Sequence, residues 1–100
     1  MIKSFRDGET ERVFDRRFSR RLPNDIQTVA LRKLRMLSNA ADLADLRSPP
    51  ANRLEKLSGS HVGQYSVRVN DQWRICFAWR DGDAYDVEIC DYHERRGDQL

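Results

Sequence analysis

Two arginines and one tripeptide near the C-terminus are where this sequence can do chemistry. Arg68 lies in an alternating run at 64–69, and Arg74 in a second run at 73–80. If Asn70-Asp71-Gln72 turns the chain so that Val69 pairs with Trp73 and Val67 with Ile75, the two guanidinium groups stand directly opposite each other. Like charges facing across a ladder cost stability. The offset is either a neighbouring carboxylate, with Glu88 and Asp91 as candidates, or a bound anion, because two guanidiniums on a rigid sheet suit a phosphodiester. Asp91-Tyr92-His93 adds a carboxylate, an aromatic able to stack on a base, and an imidazole that exchanges a proton near neutrality. Each feature also has a plain reading: a neutralised sheet surface for the arginines, an ordinary surface residue for His93.

Further cations fall in an irregular stretch at 47–62. Arg47, Arg53, Lys56 and His61 sit there close to proline and glycine, either as binding residues beside a rigid sheet or as a solvated connection. Arg12, Arg16, Arg17, Arg20, Arg21, Arg32 and Arg35 mark a helical surface that would track an RNA backbone or simply face water. Residues 1–56 hold thirteen basic and eight acidic side chains, and residues 57–100 five and eight, so the net +2 hides an uneven distribution. Arginine far outnumbers lysine, as planar contacts to phosphate or carboxylate favour.

The elements that must position these groups follow from periodicity. In 73–80 the apolar side chains are Trp73, Ile75, Phe77 and Trp79; in 84–90 they are Tyr85, Val87 and Ile89. This period of two marks half-buried strands. A two-residue loop at Asp81-Gly82 would pair Phe77 with Asp86 and Ile75 with Glu88, which sets carboxylates against the core. A three-residue loop, Asp81 to Asp83, instead pairs Trp79 with Tyr85, Phe77 with Val87 and Ile75 with Ile89, and is the expected register. Cys76 and Cys90 then lie diagonally on the polar face, without an expected disulfide. Upstream, residues 2–6 read as a short first strand, Asp7 as a cap, and residues 9–18 as a short amphipathic helix. A capping box at Asn24 and Gln27 opens the main helix, whose stripe is Ile26, Ala30, Leu34, Leu37 and Ala41. A further helical turn at 42–46 ends at Ser48-Pro49-Pro50. The expected fold is α+β: an N-terminal strand and two to three helices on one face of an antiparallel sheet that ends in a three-stranded meander. One domain spans residues 1–93, followed by a polar tail at 94–100.

No long apolar run and no signal-peptide pattern are present, so a cytoplasmic protein without membrane contact is expected. Two cysteines and two histidines give no metal-ligand spacing, and no cofactor is expected.

Taken together, Met-Ile-Lys-Ser-Phe at the N-terminus, Asn-Arg-Leu-Glu-Lys-Leu-Ser-Gly at 52–59, Tyr-Ser-Val-Arg-Val-Asn-Asp-Gln-Trp-Arg-Ile at 65–75 and Asp-Tyr-His at 91–93 resemble the HigB-type toxins of the RelE/ParE toxin–antitoxin superfamily. The resemblance covers residues 1–93. It implies a ribosome-dependent messenger-RNA endonuclease acting in the ribosomal A site. It also implies a HigA-type helix-turn-helix antitoxin and a complex that binds its own operator DNA. By position, Arg74 matches the family's catalytic arginine, and Asp91, Tyr92 and His93 its C-terminal catalytic residues. Where some members carry a His and a Lys before the loop glycine, Glu55 and Ser58 stand here; Arg53, Lys56 or His61 are the candidates to substitute. The implied mechanism is metal-independent attack by the substrate 2′-hydroxyl. Arg74, assisted by Arg68, carries the developing charge, His93 moves the proton, Asp91 orients it or acts as base, and Tyr92 holds a splayed nucleotide. Two other readings remain: a ParE-like toxin directed at gyrase, and a non-catalytic module whose arginine face holds RNA or an acidic protein.

Overall fold

The computed structural model describes residues 1–57 and 63–91. Within them two helices, α1 (Gly8–Phe14) and α2 (Gln27–Asn39), pack on one face of an antiparallel sheet. Its strands run in the order β1 (Glu55–Lys56), β2 (Gln64–Arg68), β3 (Trp73–Arg80) and β4 (Asp83–Asp91). The three-stranded meander is the expected one; β1 adds an outer strand from the stretch that reads as irregular in sequence. The N-terminal segment makes two isolated parallel bridges to β4, Ile2 with Ala84 and Phe5 with Val87, rather than a continuous strand.

The core lies between the helices and one sheet face. Ala30, Leu34 and Leu37 of α2 meet Val67, Ile75, Phe77, Val87 and Ile89. The helical stripe closes on buried Ala40, with Ala41 exposed, because helical geometry ends at Asn39. Asp7 caps α1 as expected, accepting from the Thr10 amide at 2.7 Å. The helix stops at Phe14 rather than 18: Arg16 turns into the left-handed region (φ 64) and the chain leaves the helix axis. Gln27 does not close a capping box. Its amide instead clamps the preceding loop, donating to the Ser19 carbonyl at 2.7 Å and accepting from the Ser19 amide at 2.9 Å. The turn after α2 is a short 3-10 helix, Leu43–Arg47, held by a capping box between Asp42 and Asp45.

The β3–β4 hairpin departs from the three-residue loop. Arg80 pairs with Asp83 and Trp79 with Ala84, so the loop is the two residues Asp81 and Gly82. Both have positive φ, 53 and 81, as a type I′ turn demands. Ile75 nevertheless faces Ile89 and Arg74 faces Cys90. The reconciliation is a bulge: between the pairs Cys76–Glu88 and Ala78–Tyr85, β3 contributes one residue and β4 two. The extra residue, Asp86, adopts φ 52 and points out, while its amide donates to the Ser4 hydroxyl at 2.9 Å. Beyond the bulge the alternation is reversed. Ala84 is therefore fully buried, and Tyr85 turns outward beneath the Arg80 guanidinium, 4.2 Å from the ring centroid.

Asp86, like Asp81 in the turn, holds a left-handed backbone in this hairpin. Replacing it with valine, which suits a regular strand but not a left-handed one, should cost about 1–2 kcal/mol. Asp86→Gly should stay within about 0.5 kcal/mol of the parent. Urea unfolding of the two variants checks both values.

Candidate functional site

Arg74 sits on the sheet face away from α2, at the start of β3. Its alternation partners on that face are Ser66, Cys76, Glu88 and Cys90, with Glu55 added by β1. Directly opposite on β2 is Arg68, so the expected juxtaposition of the two arginines is present. The expectation that Arg74 would lie open to solvent is not met: it is 4% exposed. Its Nε donates to Ser66 Oγ at 2.8 Å, and its Nη2 donates to the Arg53 carbonyl at 2.5 Å and the Ser66 carbonyl at 3.3 Å. Its Nη1 stands 3.9 Å from a Glu55 carboxylate oxygen. Burying a charge requires such answers. Part of the cover is residues 53–55, which fold over the guanidinium.

The like-charge opposition is offset by carboxylates other than the expected ones. Arg68 is ion-paired with Asp71 in the β2–β3 turn, and Arg74 faces Glu55. Glu88 pairs with Arg6 at 3.0 Å, and Asp91 accepts from the Gln72 side-chain amide at 2.9 Å. Asp91 is in register with Trp73 and Arg74 with Cys90. Alternation therefore sets the Asp91 carboxylate on the other sheet face from Arg74. Tyr92, His93 and His61 lie outside the described residues.

The loop that covers Arg74 has its own anchor. Asn52 is buried; its amide donates to the Leu46 carbonyl at 3.1 Å and the Ser48 carbonyl at 3.3 Å. Its side-chain oxygen accepts from the ammonium of Lys33, a lysine that is 6% exposed on α2. Burial holds the Lys33 pKa below its usual value, with Arg32 and Arg68 pushing the same way. The next residue, Arg53, takes the left-handed conformation (φ 43) that turns its carbonyl toward Arg74. The Arg53 side chain is exposed and is free of that task. Lys56 is also exposed, but it pairs with Tyr65 and so belongs to the opposite sheet face from Arg74. Among the expected cations, then, Arg68 and the Arg53 backbone share the Arg74 neighbourhood and Lys56 does not. Among the described residues no group of three His, Cys, Asp or Glu is arranged to hold a metal. Cys76 and Cys90 are buried and are not joined in a disulfide.

Ser66, Glu55, Asn52 and Lys33 are the residues that sequence reasoning missed. Ser66 had a signal: it lies two residues before Arg68, on the same strand face. Asn52 and Lys33 had none, since their meeting depends on where the loop after α2 returns.

Residues 3–93 match a family described as RelE-like toxins of type II toxin–antitoxin systems, HigB. The chain belongs to the HigB-like toxin family. It is 41% identical over 90 residues to Toxin HigB-1 of Vibrio cholerae, covering 89% of this chain and 95% of that one. It is 31% identical over 94 residues to Endoribonuclease HigB of Proteus vulgaris, covering 93% of this chain and all of the relative. A mutant of YafQ from E. coli superposes with a TM-score of 0.63 at 13% identity, over 95% of this chain and 98% of that chain. At that identity the likeness shows the shared α+β fold. The HigB-like match spans both Arg74 and the 91–93 tripeptide.

Removing the Asn52 side-chain oxygen should expose how much the cover depends on it. Asn52→Ala leaves a buried ammonium and two carbonyls without their partner, and should cost about 3 kcal/mol in chemical denaturation. Lys33 also gives a pH signature. Its folded pKa is below its unfolded value, so the unfolded chain binds more protons between the two, and stability rises with pH as it approaches 10.5. That alkaline rise should flatten in Lys33→Met when unfolding midpoints are compared between pH 8 and 11.

Proposed function

We propose that this protein is the toxin of a type II toxin–antitoxin module that inhibits translation by cutting messenger RNA on the ribosome. The observation that carries this reading is the family match over 3–93, which includes Arg74 and the terminal Asp-Tyr-His. Support from geometry is that Arg74 is held in one orientation by Ser66 and the Arg53 carbonyl before any substrate arrives. Preorganised positive charge of this kind is worth more to a transition state than a mobile guanidinium.

In this reading the 2′-hydroxyl of the substrate attacks the adjacent phosphorus and the P–O5′ bond breaks. The products are a 2′,3′-cyclic phosphate and a 5′-hydroxyl. The proton of the attacking hydroxyl leaves to a base, and an acid protonates the departing 5′-oxygen. Arg74 stabilises the charge that builds on the non-bridging oxygens, and Arg68 adds to the field. His93 carries the proton transfer, and Tyr92 holds the splayed nucleotide. Asp91, which accepts a hydrogen bond from the Gln72 side chain, orients His93 or acts as the base. His61 and the exposed side chain of Arg53 supply outer contacts to the RNA backbone. The reaction takes place in the cytoplasm. The partner is a HigA-type helix-turn-helix antitoxin, and their complex binds operator DNA.

Because Arg74 is buried, Arg74→Ala removes chemistry and fold support together, at about 1–3 kcal/mol for the partners it abandons. Arg74→Lys keeps a charge but loses the fork of donors. With translating ribosomes, the lysine variant should remain folded by circular dichroism and cleave messenger RNA at least about 100-fold more slowly. Primer extension on the recovered RNA reads the cut ends. Wild-type protein that yields no cut ends but inhibits gyrase would overturn the nuclease reading in favour of the ParE-like one.

A further inference from the structure

Cutting RNA through its own 2′-hydroxyl needs a group that takes that proton, next to the charge that steadies the phosphorane. The carboxylates in the strands and the turn nearest Arg74 are not equivalent for this duty. Asp91 is in register with Trp73, and alternation sets it on the other sheet face. Asp71 stands in the β2–β3 turn, ion-paired with Arg68. Glu88 shares the Arg74 face, but it is 12% exposed and closed on Arg6 at 3.0 Å. Glu55 is placed differently. It pairs with Ser66, whose hydroxyl accepts from Arg74 Nε, so β1 and β2 set it on the Arg74 face beside the guanidinium. A carboxylate oxygen of Glu55 lies 3.9 Å from Arg74 Nη1, and its side chain is 44% exposed where that of Arg74 is 5% exposed. A charge-assisted N–H···O bond closes at about 2.8 Å. The two groups are therefore adjacent without being locked to each other.

We propose that Glu55 is the general base that takes the proton of the attacking 2′-hydroxyl. The inference rests on the nuclease reading and names a catalytic residue within it. A carboxylate is the basic form of its side chain at neutral pH. A phosphate that hydrogen bonds to Arg74 Nη1 brings its neighbouring 2′-oxygen within reach of the Glu55 oxygen 3.9 Å away. In the step, the 2′-O–H bond breaks and the proton passes to Glu55 while the 2′-oxygen bonds to phosphorus. The P–O5′ bond breaks, and His93 gives its proton to the departing 5′-oxygen. The products are the 2′,3′-cyclic phosphate, the 5′-hydroxyl, protonated Glu55 and neutral His93, which solvent resets. The negative charge thus moves from Glu55 to the phosphorane oxygens as the bond forms. Arg74, fixed by Ser66 and the Arg53 carbonyl, faces that charge at both ends of the step. Its hold on the carboxylate is released as its hold on the substrate grows, and an interaction that grows in the transition state is what accelerates the reaction. Asp91 then has the orienting role toward His93.

The test measures single-turnover cleavage of messenger RNA on programmed ribosomes by the full chain and by Glu55→Gln and Glu55→His. Glutamine keeps the shape and the oxygen but takes no proton; histidine changes the shape and restores a base. Circular dichroism melts should match wild type for both, because the side chain is half-exposed. Glu55→Gln should cleave at least about 100-fold more slowly at saturating ribosome, with little change in the half-saturating concentration. Glu55→His should recover much of that loss. A substrate with sulfur as the 5′ leaving atom needs no acid; it should rescue His93→Ala and leave Glu55→Gln slow. Glu55→Gln cutting at the wild-type rate overturns the proposal, and so does its rescue by the sulfur substrate, which makes Glu55 the acid. Glu55→His no faster than Glu55→Gln assigns Glu55 to holding Arg74 and also overturns it. All three leave the nuclease reading intact. Wild type that yields no cut ends overturns both.

Discussion

A guanidinium placed inside a small protein must have its charge and its N–H donors answered there, because water no longer does so. Among the described residues the answers for Arg74 come from Ser66 on the neighbouring strand, the Arg53 backbone, and Glu55 on β1. Satisfying one side chain therefore ties β3, β2 and the segment before β1 into one unit. The same demand extends outward. Arg53 presents its carbonyl from a left-handed conformation, and the preceding Asn52 is pinned by the Leu46 and Ser48 carbonyls and by Lys33 from the far side of the sheet. Neither Lys33 nor Arg74 is a cheap residue to bury. Together they fix the loop that joins them.

The second constraint is the bulge at Asp86. A type I′ turn at Asp81-Gly82 and an apolar row shared by β3 and β4 impose registers that differ by one residue. One extra residue in β4 lets both hold. It also bends the strand toward the N-terminal segment, whose Ser4 hydroxyl takes the amide that the bulge removes from the ladder. Positions nearer the turn and positions nearer Arg74 thus obey opposite alternations. That is why Ala84 belongs to the core and Tyr85 to the surface, while Cys90 still shares a face with Arg74.

The molecule consequently has two distinct sides separated by its sheet. One carries Arg74 beneath its covering loop. The other carries the helices, with the arginines around Phe18. The local charge of the N-terminal half is concentrated on this second side, which accounts for a sequence whose halves differ in sign while the whole is nearly neutral.

Much of this was legible from residue order alone. Strand periodicity gave the meander and the opposition of Arg68 and Arg74, since pairing apolar rows leaves few registers. The stripe from Ile26 to Leu37 placed α2 on the core, and Asp7 announced the start of α1. Local chemistry decides such features, so sequence carries them. The tertiary structure alone decided that Arg74 is buried, that Glu55 and Asp71 are the offsetting carboxylates, and that Asp91 turns to the other face. It also decided that Gln27 serves a loop rather than a cap, and that Asp86 absorbs the register conflict. Each of these depends on which distant segment folds over a given face. The free energy that settles it is burial and hydrogen bonding between residues far apart in the chain, which no local pattern encodes.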